Sequence, residues 1–184
     1  MLMRSFALAA MVCAALLVGL PLGAGAADLD PQNTLFLDLA NGRVVIKLRP
    51  DLAPKHVTQM KKLVSRHFFD GFAFHRVIPG FMAQTGDPTG TGTGGSYEPD
   101  LPAEFSNTPY KRGSIGMART ADPNSANSQF FICFDDNGCA ALRGQYTVWA
   151  EVVSGMELVD KLAPGEPPET PSKIVKLQSA ADAK

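Results

Sequence analysis

The sequence predicts a mainly β fold, a closed eight-stranded antiparallel barrel capped by two α-helices. About eight short runs have the alternation and β-branched or aromatic content typical of strands, and turn-forming residues separate them. Only two segments have helical spacing. The chain has no internal repeat and no regular alternation of strand and helix of the kind that builds parallel sheets. Antiparallel strands in one small domain commonly close into a barrel.

The first 26 residues have the pattern of a secretory signal peptide. Arg4 precedes an apolar run from Phe6 to about Leu22, and the small residues 24–26 follow, so we expect cleavage after Ala26. A buried or membrane-anchoring helix is the alternative, because the run is only slightly shorter than the ~20 residues that span a bilayer. Cleavage is the interpretation we favour. It predicts one domain, residues 27–184, in the periplasm, with secretion as the alternative.

The charge balance of the mature chain does not suggest a nucleic acid or a strongly charged partner. Without Arg4 the mature chain keeps 16 basic and 18 acidic residues, with no basic run for nucleic acid and no acidic tail.

Cys133 and Cys139 could form a local disulfide in an oxidising compartment. Because a lone pair is not a disulfide framework, we favour one buried strand thiol and one loop thiol.

The mature chain is predicted to open with a β-hairpin and then a helix. Residues 33–39 and 43–48 are β-prone, and Asn41-Gly42 between them tolerates positive φ. Pro54 suits the first turn of a helix that ends near Asp70-Gly71. The buried side of this helix is expected to hold Val57, Met60, Leu63 and Val64, and its solvent side His56, Lys61, Lys62 and Arg66.

The segment from Phe74 to Ile78 is predicted to be extended and to end at Pro79-Gly80. Strand alternation places Phe74 and Ile78 on the face of Arg76, and His75 on the other face.

An aromatic, a thioether and an amide follow that break, at Phe81, Met82 and Gln84. An apolar pocket beside the cationic fork of Arg76 suits a neutral, flat ligand. The stretch contains no obvious nucleophile or general base, which argues against hydrolysis.

The second half of the chain is predicted to contain loops between short strands. The glycine-rich segment 87–95 lacks the Gly-Lys-Ser/Thr of a phosphate-binding loop, so a surface loop that shapes a groove is the better interpretation. Further strands are expected at 114–118, 128–133, 146–153 and 173–177, with a short helix after Gly155. Because Phe130 and Phe131 alternate, one of them is expected to be core, and we choose Phe130.

Residues 74–87 resemble the signature of the cyclophilin family of peptidyl-prolyl cis/trans isomerases. Segments 114–118 and 128–132 match the second block of that family, and Asn41-Gly42, Gly94-Gly95 and 144–151 follow in the expected order. The resemblance covers residues 32–178. It implies an eight-stranded barrel capped by two helices, with the active groove on the outside.

The resemblance also implies the site residues. The catalytic arginine of the family falls on Arg76, and Gln84 matches the glutamine that steadies it and contacts the substrate backbone. The substrate-binding positions are Phe81, Met82, Phe131 and Leu142 for the proline pocket, Ala118 and Gln129 for the groove, Arg119 through its main chain, and Tyr146, where many members have histidine. Ala141 stands where a large ring is common, which predicts at most weak cyclosporin binding.

The predicted function is prolyl isomerisation that assists the folding of exported proteins, with proline-containing polypeptides as partners. A binding module that holds proline segments without turnover is the alternative, and a secreted hydrolase is a weaker one. We expect a monomer without cofactor, nucleic acid or stable membrane insertion. His56, His67 and His75 lack ligand spacing, so we expect no metal.

Overall fold

The computed structural model describes residues 29–183. The predicted signal peptide, residues 1–26, lies outside the described residues, so its cleavage and the domain boundary at residue 27 stay predictions. Within the described part, none of the helices combines the length and the apolar character that crossing a bilayer requires.

In the part of the chain that the structure describes, eight antiparallel strands form one curled sheet, which confirms the predicted class and strand number. The strands are β1 (Thr34–Leu39), β2 (Gly42–Leu48), β3 (Arg76–Ile78), β4 (Met82–Thr85), β5 (Ser114–Met117), β6 (Phe130–Cys133), β7 (Val148–Ser154) and β8 (Ile174–Ser179). Their order across the sheet is β3-β4-β6-β5-β7-β2-β1-β8. The predicted hairpin is confirmed, since β1 pairs with β2 from Leu39 opposite Gly42.

The barrel is less closed than the sequence led us to expect, because the edge strands β3 and β8 form no continuous ladder. The segment before β3 makes the connection to the start of β8, through a bridge between Ala73 and Lys173 and through backbone bonds of Gly71 and Phe72 with Ile174. β3 has three residues and its free edge pairs with Gly165 instead. The sheet is therefore a curled half-barrel and not a fully closed one.

Within residues 29–183, three α-helices accompany the sheet instead of the two expected: α1 (Pro54–Ser65), α2 (Asp136–Cys139) and α3 (Met156–Val159). α1 begins at Pro54 as predicted but ends before Asp70, because the chain after it turns to bury Phe69 against Phe130 at 5.7 Å. α3 follows Gly155 as expected. The additional helix, α2, lies in a segment predicted to be loop.

The interior of the barrel contains the predicted inner side of α1 together with large aromatic residues. Phe130 and Trp149 are fully buried and meet edge to face at 5.7 Å, so the choice of Phe130 as core is confirmed. Phe74 is also buried in this core beside Val77, which corrects its assignment to the face of Arg76. The regular strand begins only at Arg76, so alternation does not extend back to Phe74.

His56 is buried, which corrects its expected exposure on the solvent side of α1. Its Nδ1 lies 2.6 Å from Glu104 Oε2, and the same carboxylate accepts the backbone N–H groups of Lys55 and His56 at the start of the helix. Burial lowers the pKa of His56 against the opposing effect of Glu104. A neutral ring that donates Nδ1–H to Glu104 fits this site, because Nε2 is buried without a partner.

Replacing Glu104 with glutamine is expected to destabilise the protein by about 1–2 kcal/mol. The change removes a charged acceptor from the first turn of α1 and from His56 at once. Urea unfolding at pH 7 measures the effect, and Glu157→Gln, an exposed glutamate in the first turn of α3, is the matched control. Equal midpoints for both variants would refute the capping role of Glu104.

Candidate active site

The β3–β4 hairpin places Arg76 beside Gln84 on the outer surface of the sheet. The two residues are opposite each other in the antiparallel register, as are Ile78 and Met82. The Arg76 side chain is 39% exposed. Its guanidinium can therefore reach a ligand that lies on the outside of the barrel.

A cavity of about 140 Å³ opens next to Arg76. Its floor contains Met82 and Phe131, both nearly fully buried, and the ring of Tyr146 stands edge-on to Phe131 at 5.8 Å. The full lining is Arg76, Phe81, Met82, Gln84, Ala118, Arg119, Phe131, Leu142 and Tyr146. An apolar cavity of about 150 Å³ can bind benzene, so a cavity of this volume accommodates one small ring.

The floor of this cavity belongs to a second apolar cluster, separate from the barrel core. Sequence reasoning missed one member, Tyr110, whose ring stacks on Phe131 at 5.9 Å. Gly116 lies opposite Phe131 in the β5–β6 pairing, and a Cβ there would overlap with the Phe131 ring and the Tyr110 hydroxyl. Burial raises the pKa of Tyr110. Glycine at position 116 therefore makes room for the two rings that support the pocket.

Cys133 and Cys139 form a disulfide, so the interpretation of two separate thiols was wrong. The Asp135 carboxylate accepts the backbone N–H groups of Asn137 and Gly138 and starts α2, which brings Cys139 back towards the end of β6. The bridge lies in the second apolar cluster. It anchors the 3-10 turn of residues 140–142, in which Leu142 lines the cavity and Ala141 faces solvent.

The two glutamines of the site contact each other. Gln84 Nε2 donates to Gln129 Oε1 at 2.8 Å, and Gln129 Nε2 donates to the carbonyls of Gly92 and Gly94. We expected Gln84 to steady Arg76, but Arg76 Nε donates to Glu166 Oε2 at 2.6 Å. The Gln84 NH2 group cannot hold the guanidinium, because both are donors, so a steadying contact would require Gln84 Oε1 as the acceptor. The contact of Gln84 with substrate backbone stays a prediction.

The glycine-rich segment shapes a groove, as predicted. Its residues 92–95 and the following Ser96 line a second cavity of about 530 Å³, shared with Gln84, Ala118, Arg119 and Gln129. The Asp87 carboxylate stabilises this loop, because it accepts hydrogen bonds of 2.6–3.2 Å from the backbone N–H groups of Thr89, Thr91, Gly92 and Gly94. Gln129 lines this larger cavity, whereas the other predicted substrate-binding residues surround the smaller one.

Arg119 contributes its side chain to the groove, which the sequence interpretation had limited to its main chain. The guanidinium donates to the carbonyls of Gln145 and Thr120 at 2.8–3.1 Å and lies 4.5 Å from the centre of the Tyr146 ring. Arg119 borders both cavities. It therefore belongs to the wall that the two cavities share.

Fold and site together define a barrel protein of the prolyl isomerase class, with an outward pocket for one small ring and an arginine at its edge. The family model for cyclophilin type peptidyl-prolyl cis-trans isomerase/CLD matches residues 34–181. The chain belongs to this family, and its activity is peptidyl-prolyl cis-trans isomerisation.

Individual relatives agree with this assignment. The chain is 54% identical to a probable peptidyl-prolyl cis-trans isomerase of Brucella suis, with 97% of each chain covered. It is 37% identical to peptidyl-prolyl cis-trans isomerase B of Bacillus subtilis over 71% of this chain and 90% of that one. Among solved structures, cyclophilin AquaCyp293 from Hirschia baltica superposes with a TM-score of 0.77 at 29% identity, covering 85% of this chain and 77% of the other.

A cyclophilin type isomerase from Cryptosporidium parvum, solved in the presence of the dipeptide Ala-Pro, is also similar. It has a TM-score of 0.73 at 26% identity, with 79% of this chain and 98% of that chain covered.

Proposed function

We propose that Arg76 accelerates isomerisation by donating a hydrogen bond to the prolyl nitrogen while the 140 Å³ cavity holds the proline ring. The planar X-Pro amide resists rotation with a barrier of ~18–20 kcal/mol. When the amide twists, conjugation is lost and the nitrogen gains a lone pair that can accept a hydrogen bond. Arginine stays protonated and has five donors. The observation that carries the proposal is the guanidinium at the rim of a cavity of this size, above the apolar floor of Met82 and Phe131.

The expected rate gain combines the hydrogen bond from Arg76 with the binding of the proline ring on the cavity floor. A charged hydrogen bond is worth ~1.5–3 kcal/mol, or roughly one to two decades of rate when it forms only in the transition state. Burying the ring on Met82 and Phe131 contributes about 2 kcal/mol to binding. Their apolar surface also excludes water and strengthens the contact of Arg76 with the nitrogen. No proton transfer is required.

We also propose that the protein acts on exported polypeptides in the periplasm and assists their folding. Two observations support this: the signal-like pattern of residues 1–26 and the disulfide between Cys133 and Cys139. Disulfides persist in oxidising compartments such as the periplasm. Cell fractionation with N-terminal sequencing is expected to find a periplasmic chain that begins at Ala27. A membrane-bound chain that retains Met1 would support the anchoring helix instead.

The experiment that tests the proposed activity is NMR exchange spectroscopy on an X-Pro peptide with and without the purified protein. We expect a clear rise in the cis-trans exchange rate at catalytic protein concentrations. A peptide whose resonances shift on binding while its exchange rate stays unchanged would favour the binding module over the enzyme.

A further inference from the structure

The guanidinium of Arg76 has a carboxylate partner outside the sequence motif. Its Nε donates to Glu166 Oε2 at 2.6 Å, although Glu166 lies 90 positions further along the chain, between α3 and β8. Among residues 29–183, this is the one ion pair that Arg76 forms. Gln84, the side chain opposite Arg76 in the hairpin, is bonded to Gln129.

The backbone, and not the ion pair alone, places Glu166 beside Arg76. Val77, the next residue after Arg76, exchanges two backbone hydrogen bonds with Gly165, at 2.8 and 2.9 Å. Gly165 has a φ of +144°, and a Cβ there would overlap with the backbone of Pro167 and Pro168. The chain can therefore fold tightly at Gly165. Residue 166 is held next to the free edge of β3 in this way.

We propose that Glu166 is a positioning residue for the isomerase reaction. It holds the Arg76 guanidinium by Nε and leaves the Nη groups to meet the substrate. A free arginine side chain samples many rotamers, and a donor that is already fixed loses less of this freedom when the transition state forms. The ring of Phe81, 6.0 Å from Arg76 Cζ, borders the guanidinium on another side. The inference rests on the proposed role of Arg76.

The Arg76–Glu166 pair contributes little to the stability of the fold. The two side chains are 39% and 51% exposed. Exposed ion pairs of this kind add little to the free energy of unfolding, because water and salt screen them. Variants at position 166 should therefore remain folded, and a loss of activity in them reports on the site.

The test compares Glu166→Ala and Glu166→Gln with Glu169→Gln, an exposed glutamate of the same connection, by measuring kcat and KM on an X-Pro peptide. We expect Glu166→Ala to lower kcat about fivefold with KM within about twofold, because orientation matters mainly in the transition state. Glu166→Gln keeps an acceptor oxygen and should lose less. Glu169→Gln should match the parent. The Arg76 Nε–H resonance should shift in both Glu166 variants only.

A double-mutant cycle distinguishes positioning from other effects. In an Arg76→Ala background, removing Glu166 should cause no further loss. An additional fivefold loss there would overturn the proposal, since Glu166 would then act without Arg76. Full activity of Glu166→Ala beside an impaired Arg76→Ala would also overturn it but leave the role of Arg76 intact. Full activity of Arg76→Ala would refute both the proposed role of Arg76 and the positioning role of Glu166.

Discussion

Replacing Arg76 with alanine is expected to lower kcat/KM for an X-Pro peptide by at least about tenfold, because one charged hydrogen bond to the twisted amide is lost. The cavity floor of Met82 and Phe131 does not depend on the arginine, so peptide binding should change less than turnover. Exchange spectroscopy on the parent and the variant measures both quantities. Arg76→Lys should fall between them, because lysine keeps the charge and loses the planar fork of donors.

Arg43→Ala is the matched control for this prediction. Arg43 is also a partly exposed arginine paired with a carboxylate, Asp38, at 2.6 Å, but it lies in the β1–β2 hairpin and does not line either cavity. Its removal should leave kcat/KM unchanged. If both arginine variants lost activity equally, or if neither did, the specific role of Arg76 would be refuted.

Local patterns predicted most of the elements correctly. Asn41-Gly42 predicted the first hairpin and Pro54 the start of α1, because both signals depend on the backbone preferences of a few adjacent residues. The lining of the 140 Å³ cavity comes from the β3–β4 hairpin, from β6, from the residues that directly follow β5 and from the segment 142–146. The periodicity of each element does not predict which distant segments meet at one pocket. The resemblance to the family motif predicted this.

The features that the sequence did not predict depend on contacts between distant segments. Helical spacing placed His56 towards water, but Glu104, 48 positions away, covers it. The partner of Arg76 is Glu166, and a lone Glu-Pro dipeptide carries no signal for such a contact. Cys133 and Cys139 are close in sequence, yet their pairing required α2, whose cap Asp135 offered the one local clue. Side-chain periodicity indicates which face of a helix or strand is buried, but it does not identify the distant residues that contact that face.

Asp87→Asn is expected to lower the free energy of unfolding by about 2 kcal/mol at pH 7. Burial alone would raise the pKa of Asp87, but hydrogen bonds from Thr89, Gly94 and Gly92 outweigh that effect and hold it at about 2. The carboxylate form is thus stabilised in the folded state relative to its ordinary pKa of 3.8. An asparagine offers one carbonyl oxygen where the loop requires two acceptors. The 530 Å³ cavity, whose wall this loop forms, should loosen as well.

The same linkage predicts how the effect of Asp87→Asn depends on pH. Because the folded pKa of Asp87 is lowered, its stabilising contribution is complete above about pH 3.8 and is lost as the pH falls towards 2. The lowered pKa values of His56 and Glu104 act in the same direction, so the parent should lose stability progressively below about pH 6.5.

Urea unfolding at pH 7, 5 and 3 measures the stability of the parent and the effect of Asp87→Asn at each pH, with the exposed Asp182→Asn as control. The gap between parent and Asp87→Asn should be the same at pH 7 and 5 and narrow at pH 3. A gap independent of pH would mean that the amide disturbs the loop by its shape, and that the charge of Asp87 is not what holds it.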